Sequence, residues 1–237
     1  MVNEVRVSLS EASDFFASAI PVLSAINASS GGIKTAATQA FNMNLCLSIV
    51  SFLSSKLLLP LSFAFFSLSL VGGFEFGTVS VLSKKVKNVF LWCMGILTAV
   101  FLGVTSLQNV ISSTQDSAYM RAAKYAASGM IPIVGSTVSS SLGTLAGGFS
   151  YIRSTVGVSF VIVMLSFFLS PLIMLLLYKF SLGLAASFME FTSPSGARIF
   201  SGFGGALDAV ISVYAFSAVV YLAEILIFIK SGVNVFG

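Results

Sequence analysis

The run VFLWCMGILTAVFLGVTSLQNVI at residues 89–111 contains no charged side chain. It is long enough to cross a bilayer's hydrocarbon, which takes about 20 residues as an α-helix. It is not alone. Residues 43–74, 156–189 and 203–229 form further long apolar runs. Backbone polar groups cannot go unpaired in lipid, so such runs fold as helices or as a closed barrel. None of them alternates strictly between apolar and polar residues, which excludes barrel strands. Only 8% of the 237 residues are charged, against about 25% in soluble domains. Most of this surface therefore faces lipid, and the fold class is an all-α integral membrane protein.

The remaining charge is basic, with a net +4. Without a clustered basic patch it marks span boundaries rather than a nucleic-acid surface, so the expected partner is the bilayer. The densest cluster, Lys84, Lys85 and Lys87, reads as a loop. Cys46 and Cys93 lie inside apolar runs and read as buried, reduced thiols. Residues 1–26 lack a basic region followed by an apolar core, so no cleavable signal is expected and insertion falls to internal spans or an upstream segment.

The two halves of the chain resemble each other. Shifted by 111 residues, Ile20-Pro21 meets Ile131-Pro132, and Pro60-Leu61 meets Pro171-Leu172. Gly32 meets Gly143, Gly72 meets Gly183, and Ser29-Ser30 meets Ser140-Ser141. The halves are then a first membrane repeat at 1–111, a polar connector at 112–124, and a second repeat at 125–237. Weak internal symmetry of this kind is typical of transporters. Runs 43–74 and 156–189 each exceed one bilayer thickness and each contains a proline. If Pro60 and Pro171 are turns, the chain has about six spans in inverted repeats, the preferred reading, because proline suits the first turn of a helix. If they only kink, it has four long spans in parallel repeats.

Residues 125–157, YAASGMIPIVGSTVSSSLGTLAGGFSYIRSTVG, are too polar for an ordinary span and too apolar for an ordinary loop. Gly143 and Gly147 form a GxxxG pair that admits a second helix backbone. Irregular backbone at membrane depth is tolerated where it is buried or lines a cavity. This favours a broken or re-entrant segment beside a pathway, with Pro21 and Pro132 at its two occurrences; the alternative is an interfacial helix with a loop.

Most strongly over residues 118–194, and more weakly but continuously over the rest, the chain resembles the stage III sporulation protein AE family. Lys124, Ile131, Pro132, Gly135, Gly148, Ile152, Arg153, Gly157 and Pro171 match the family's pattern. The resemblance implies a permease-like, multi-pass subunit of a channel complex in the mother-cell membrane around the forespore. Its partners would be the complex's other membrane subunits, with a homo-oligomer also allowed. Family members carry a signal-like segment and a polar region before the first span, whereas this chain begins close to the first repeat.

Catalytic chemistry finds little support. The chain has no histidine, which removes the commonest general base and metal ligand. No Gly-rich loop ends in Gly-Lys-Ser/Thr, and neither enzyme activity, cofactor nor metal is expected. Charges inside apolar runs are costly and usually face a bundle interior or cavity. Asp208, after SGFGG, is the candidate pathway residue, with Pro21, Pro132, Gly135, Gly143, Gly147 and Pro171 as pathway or hinge positions. Lys56, Lys179 and Glu224 are the other intramembrane charges; Lys179 and Glu224 lie near span ends, where snorkelling to the interface is the plain reading. Three roles stay open: a channel-complex subunit that passes solutes or anchors and gates the complex, an independent secondary transporter of a small solute, and a non-conducting scaffold.

Overall fold

The computed structural model describes residues 2–73, 77–130 and 135–231. Six α-helices follow in order: α1 (Val2–Ser29), α2 (Ile33–Phe52), α3 (Leu58–Gly73), α4 (Gly77–Met130), α5 (Gly135–Glu190) and α6 (Pro194–Lys230). A single π-helical turn, Leu53–Leu57, joins α2 to α3. There is no strand among the described residues.

Five helical segments are long and apolar enough to cross a membrane: Asn3–Ser29, Ile33–Leu57, Lys84–Ala123, Gly147–Glu190 and Pro194–Lys230. Among the described residues the count by length and composition is thus five, against the expectation of about six or the alternative four. Two features account for the difference. The N-terminal residues form an apolar helix of their own, and neither proline-broken run turns back on itself.

Pro171 lies inside an unbroken α5. A proline here supplies no N–H to the carbonyl four residues earlier, that of Phe167. The Tyr214 hydroxyl of α6 donates to this carbonyl (3.1 Å), and the Ser8 hydroxyl of α1 donates to it as well (3.2 Å). The two hydroxyls are also 3.0 Å apart, so tertiary donors take over where the helix loses its own. Pro60 is accommodated differently. It is the third residue of α3, and in the π turn just before it the Leu58 N–H bonds to the Leu53 carbonyl. A wider turn gives room for the pyrrolidine ring against the carbonyl of Lys56. Lys56 itself points outward from this turn. Pro21 sits within α1, which runs on to Ser29, so no break occurs there. Pro132 lies outside the described residues; of Gly135 and Gly143 the structure describes only that they are helical.

The expected connector at 112–124 is helical, and so are Lys84, Lys85 and Lys87; all lie within α4. The compact units are arranged otherwise. Unit 1 comprises Met1–Asp14, Ser48–Val100 and Leu165–Val219; unit 2 comprises Phe15–Leu47, Phe101–Met164 and Val220–Gly237. Each draws on both sequence halves.

The buried faces follow helical periodicity. On α1 they are Val5, Leu9, Ala12, Phe16, Ala19 and Leu23, spaced three or four apart so that they share one stripe. The most apolar window of α6 is 50% buried, against 17% for α4 and α5, which makes α6 the enclosed helix. In unit 1, Phe65 of α3 packs on Ala206 and Ala209 of α6, with Leu61, Phe66 and Phe90 around them. The connection at 191–193 between α5 and α6 is a tight turn. Ser193 caps α6, its hydroxyl accepting the Gly196 N–H (3.2 Å), and Pro194 occupies the first helical position, where its missing N–H costs nothing. Cys46 is buried as expected, whereas Cys93 is exposed on α4.

Tyr214→Phe should lower stability in detergent by about 0.5–1.5 kcal/mol, because it removes one of the two hydroxyl donors to a half-buried carbonyl. The loss should shrink in a Pro171→Ala background, where the backbone at position 171 regains an N–H to donate to the Phe167 carbonyl. A thermal double-mutant cycle measures this coupling; equal losses in both backgrounds would refute the proline account.

Candidate functional site: a polar interior and a charged triad

Polar side chains gather inside unit 2. Asn27, Thr35, Gln39, Thr105, Asp116, Arg153 and Glu224 are each at most 3% exposed. Burying such groups among apolar helices is unfavourable unless they find partners. Most of them do so around one short turn.

That turn, Ser30–Gly32, links α1 to α2 and leaves orphan carbonyls on one side and orphan N–H groups on the other. The Gly32 N–H bonds to the Asn27 carbonyl (3.0 Å) and the Gly31 N–H to the Ala28 carbonyl (3.0 Å). This is the Schellman pattern, with Gly31 at φ +86°. Arg153 of α5 donates through Nη2 to the Ser30 hydroxyl (2.7 Å), which itself donates to the Asn27 carbonyl (2.8 Å). The guanidinium also lies 5.9 Å from the Phe228 ring centre, within cation–π range. A fixed positive charge thus meets the negative end of α1.

The start of α2 is treated oppositely. Gly32 stands at the capping position and has no side chain to cap with. Asp116 of α4 supplies the acceptor instead, taking the Lys34 N–H (3.2 Å) and the Thr35 N–H (2.7 Å) on separate carboxylate oxygens. Lys34 reaches back to Gln115 (3.1 Å) and lies over the Tyr119 ring; Thr38 pairs with Ser112 (2.8 Å). Asn27 donates to the Gln39 side chain across the hairpin. Met120 covers the turn so closely that a Cβ on Gly31 would sit 2.8 Å from its sulfur. The turn therefore needs glycine for both backbone and space.

Glu224 behaves differently. It is fully buried, so it does not snorkel as the sequence suggested. Thr105 of α4 lies alongside it, and the Cys46 thiol of α2 is near enough to feel its charge. The Thr105 hydroxyl lies 3.3 Å from the Leu102 carbonyl and is also the side chain that hydrogen-bonds to Glu224, so the buried carboxylate has no countercharge beside it. Next to it, α4 and α6 enclose a groove of about 560 Å³ lined by Ser106, Asn109, Ser113, Ile227 and Lys230 among others.

In unit 1 Asp208 takes Lys87 at 3.1 Å on one oxygen and Lys179 at 2.6 Å on the other. The three side chains are between 20% and 48% exposed, so solvent screens each pair. Lys87 passes over Gly205, where an added Cβ would meet its Cδ at 3.5 Å. The glycines before Asp208 thus admit a lysine side chain; nothing lies within 4 Å at Gly204.

Of the residues singled out in the sequence, Asp208 and Lys179 come together, while Lys56 and Glu224 stand in other settings. At Gly147, where a close approach was expected, an added Cβ meets nothing within 4 Å among the described residues. The crowded glycine of this region is Gly157, whose added Cβ would clash with Ile229 and touch Phe228. Asp116, Asn27 and Gln39 were missed. A signal for Asn27 existed, because it continues the apolar stripe of α1 four residues beyond Leu23.

Comparison with known proteins fits this arrangement of long apolar helices. The family model for stage III sporulation protein AE matches residues 1–232. The chain belongs to that family. A curated relative, stage III sporulation protein AE of Bacillus subtilis (strain 168), is 25% identical over 222 residues, covering 93% of this chain and 55% of the relative. The chain thus spans about half the length of that relative. No solved structure matches. Membership ties the chain to sporulation, and two of the signature positions now have physical roles: Arg153 as the anchor of the α1 terminus and Gly157 as the seat of α6.

Gly31→Ala should cost about 1–3 kcal/mol, since alanine at positive φ is strained and Met120 blocks its methyl. Gly147→Ala should leave stability unchanged. Melting of the two variants in detergent checks this contrast, and equal shifts would refute it.

Proposed function

We propose that this chain is a permease-like, multi-pass subunit of a channel complex in the mother-cell membrane around the forespore. Its partners are the other membrane subunits of that complex, and its role is to pass small solutes or to gate their passage. The observation that carries this reading is the polar interior of unit 2. Asn27, Gln39, Asn109 and Glu224 retain side-chain atoms without hydrogen-bond partners, and such groups inside apolar helices usually face a path for polar species. No catalytic role is proposed.

A scaffold role has one observation in its favour. Asp208 is held by two lysines, an arrangement that can fix helices without conducting anything.

Gln39→Met and Asp208→Asn separate these readings. For a conduit, Gln39→Met should sharply reduce spore formation while protein level and co-purification of partner subunits stay at wild-type values. Asp208→Asn should do the same if the triad lies on the path. Loss of partner subunits with either variant marks a scaffold, and normal spore formation with both variants refutes the conduit.

A further inference from the structure

Glu224 poses a problem that none of its neighbours solves. Both of its oxygens are fully buried, and the hydrogen-bonding side chain beside them is the Thr105 hydroxyl alone, which leaves the carboxylate without a countercharge. The elements packed around this part of α6 bring few polar groups. From α1 comes the Phe16 ring, 4.4 Å from that of Tyr221. From α2 comes the Cys46 thiol and from α4 the Thr105 hydroxyl. From α5, Arg153 lies over the Phe228 ring, one turn further along α6, and bonds to Ser30. A bare carboxylate in such surroundings is strongly disfavoured and takes up a positive charge instead.

One turn from Thr105 on α4, Asn109 repeats the pattern. Its amide nitrogen points to the Ile227 carbonyl (3.5 Å), leaving Oδ1 buried and without a partner. Asn109 also lines the α4–α6 groove of about 560 Å³, and Ala223 and Ile227, beside Glu224 in sequence, line the same groove. Along this seam, buried oxygen acceptors therefore outnumber donors, and the groove runs beside them, with Lys230 as the charged residue of its lining.

We propose that Glu224, with Thr105 and Asn109 on the facing helix, forms a binding site for a small monovalent cation, a proton or an alkali ion, entered from the α4–α6 groove. A single carboxylate balances one positive charge. Among the described residues no group of three or more acidic, cysteine or histidine side chains exists to hold a metal ion, which sets this seam apart from the several carboxylates that divalent ions favour. The site does not rest on conduction. A cation held here neutralises the interior whether or not anything crosses the membrane.

The test uses the full chain, purified in detergent, with thermal stability read from about pH 5 to about pH 9. Each pH is measured in choline chloride, sodium chloride and potassium chloride at equal ionic strength. If the cation is a proton, ionisation leaves a bare buried charge, so melting should fall by several degrees as pH rises, equally in all three salts. If it is an alkali ion, sodium or potassium should raise melting over choline, because a ligand of the folded state stabilises by mass action. Glu224→Gln should abolish whichever dependence the wild type shows. The proposal fails if the wild type shows neither dependence or if Glu224→Gln retains it. Should that variant not fold, dicyclohexylcarbodiimide labelling of the wild type, mapped by mass spectrometry, takes its place. Modification at Glu224 that slows with rising pH or with added alkali ion supports the site, and absence of any such response overturns it.

Discussion

A short turn between two helices leaves unpaired carbonyls at the end of one and unpaired N–H groups at the start of the next. Water would satisfy both on a soluble surface. Here the turn at Ser30–Gly32 lies against α4 and α5, and protein charges do the work instead. Arg153 serves the negative end of α1 through Ser30, and Asp116 caps the positive end of α2. Each charge is matched to a helix dipole, so neither is isolated although both are buried. The rest of unit 2 depends on this. Four helices meet at the turn, and the stacking of Met120 on Gly31 is allowed only because position 31 has no side chain.

The same need to satisfy backbone groups explains the prolines. A proline inside an apolar helix leaves a carbonyl without its donor, and the chain meets this in two ways. At Pro171 hydroxyls from other helices, Tyr214 and Ser8, reach the Phe167 carbonyl. At Pro60 the helix itself changes pitch through a π turn. Two positions that look equivalent in the aligned halves are thus solved by unrelated means. Both solutions keep the helix continuous, which is why the number of long apolar segments is five.

Against this background the residues of the family pattern gain physical content. Arg153 and Gly157 lie one turn apart on the same helix. One anchors the turn of α1 and α2, and the other gives Phe228 and Ile229 of α6 a place to pack. A charge and a missing side chain, four residues apart, together join α5 to α1 and α6 within unit 2. These two positions thus form a packing device in this chain, while Glu224 and Asn109, whose buried oxygens are under-satisfied, stand apart from it as the chemistry left over once the fold is satisfied.

Hydropathy alone determined that the chain is helical and built for lipid, because a bilayer admits few ways to pair a backbone and the composition leaves too little charge for water. The family was legible separately, as a resemblance carried by residues such as Pro132, Arg153 and Pro171. Local pattern could not determine whether a proline turns the chain or merely interrupts a hydrogen bond, since the donors for Phe167 come from residues some 40 to 160 positions away along the chain. Nor could it foresee the burial of Glu224 or the capping by Asp116. A charge near a helix end reads as solvated until neighbouring helices enclose it, and a polar segment such as 112–124 reads as a connector until its aspartate is found on another helix's N-terminus. Which acceptors meet donors is a property of helices packed side by side, and only the tertiary structure decided it.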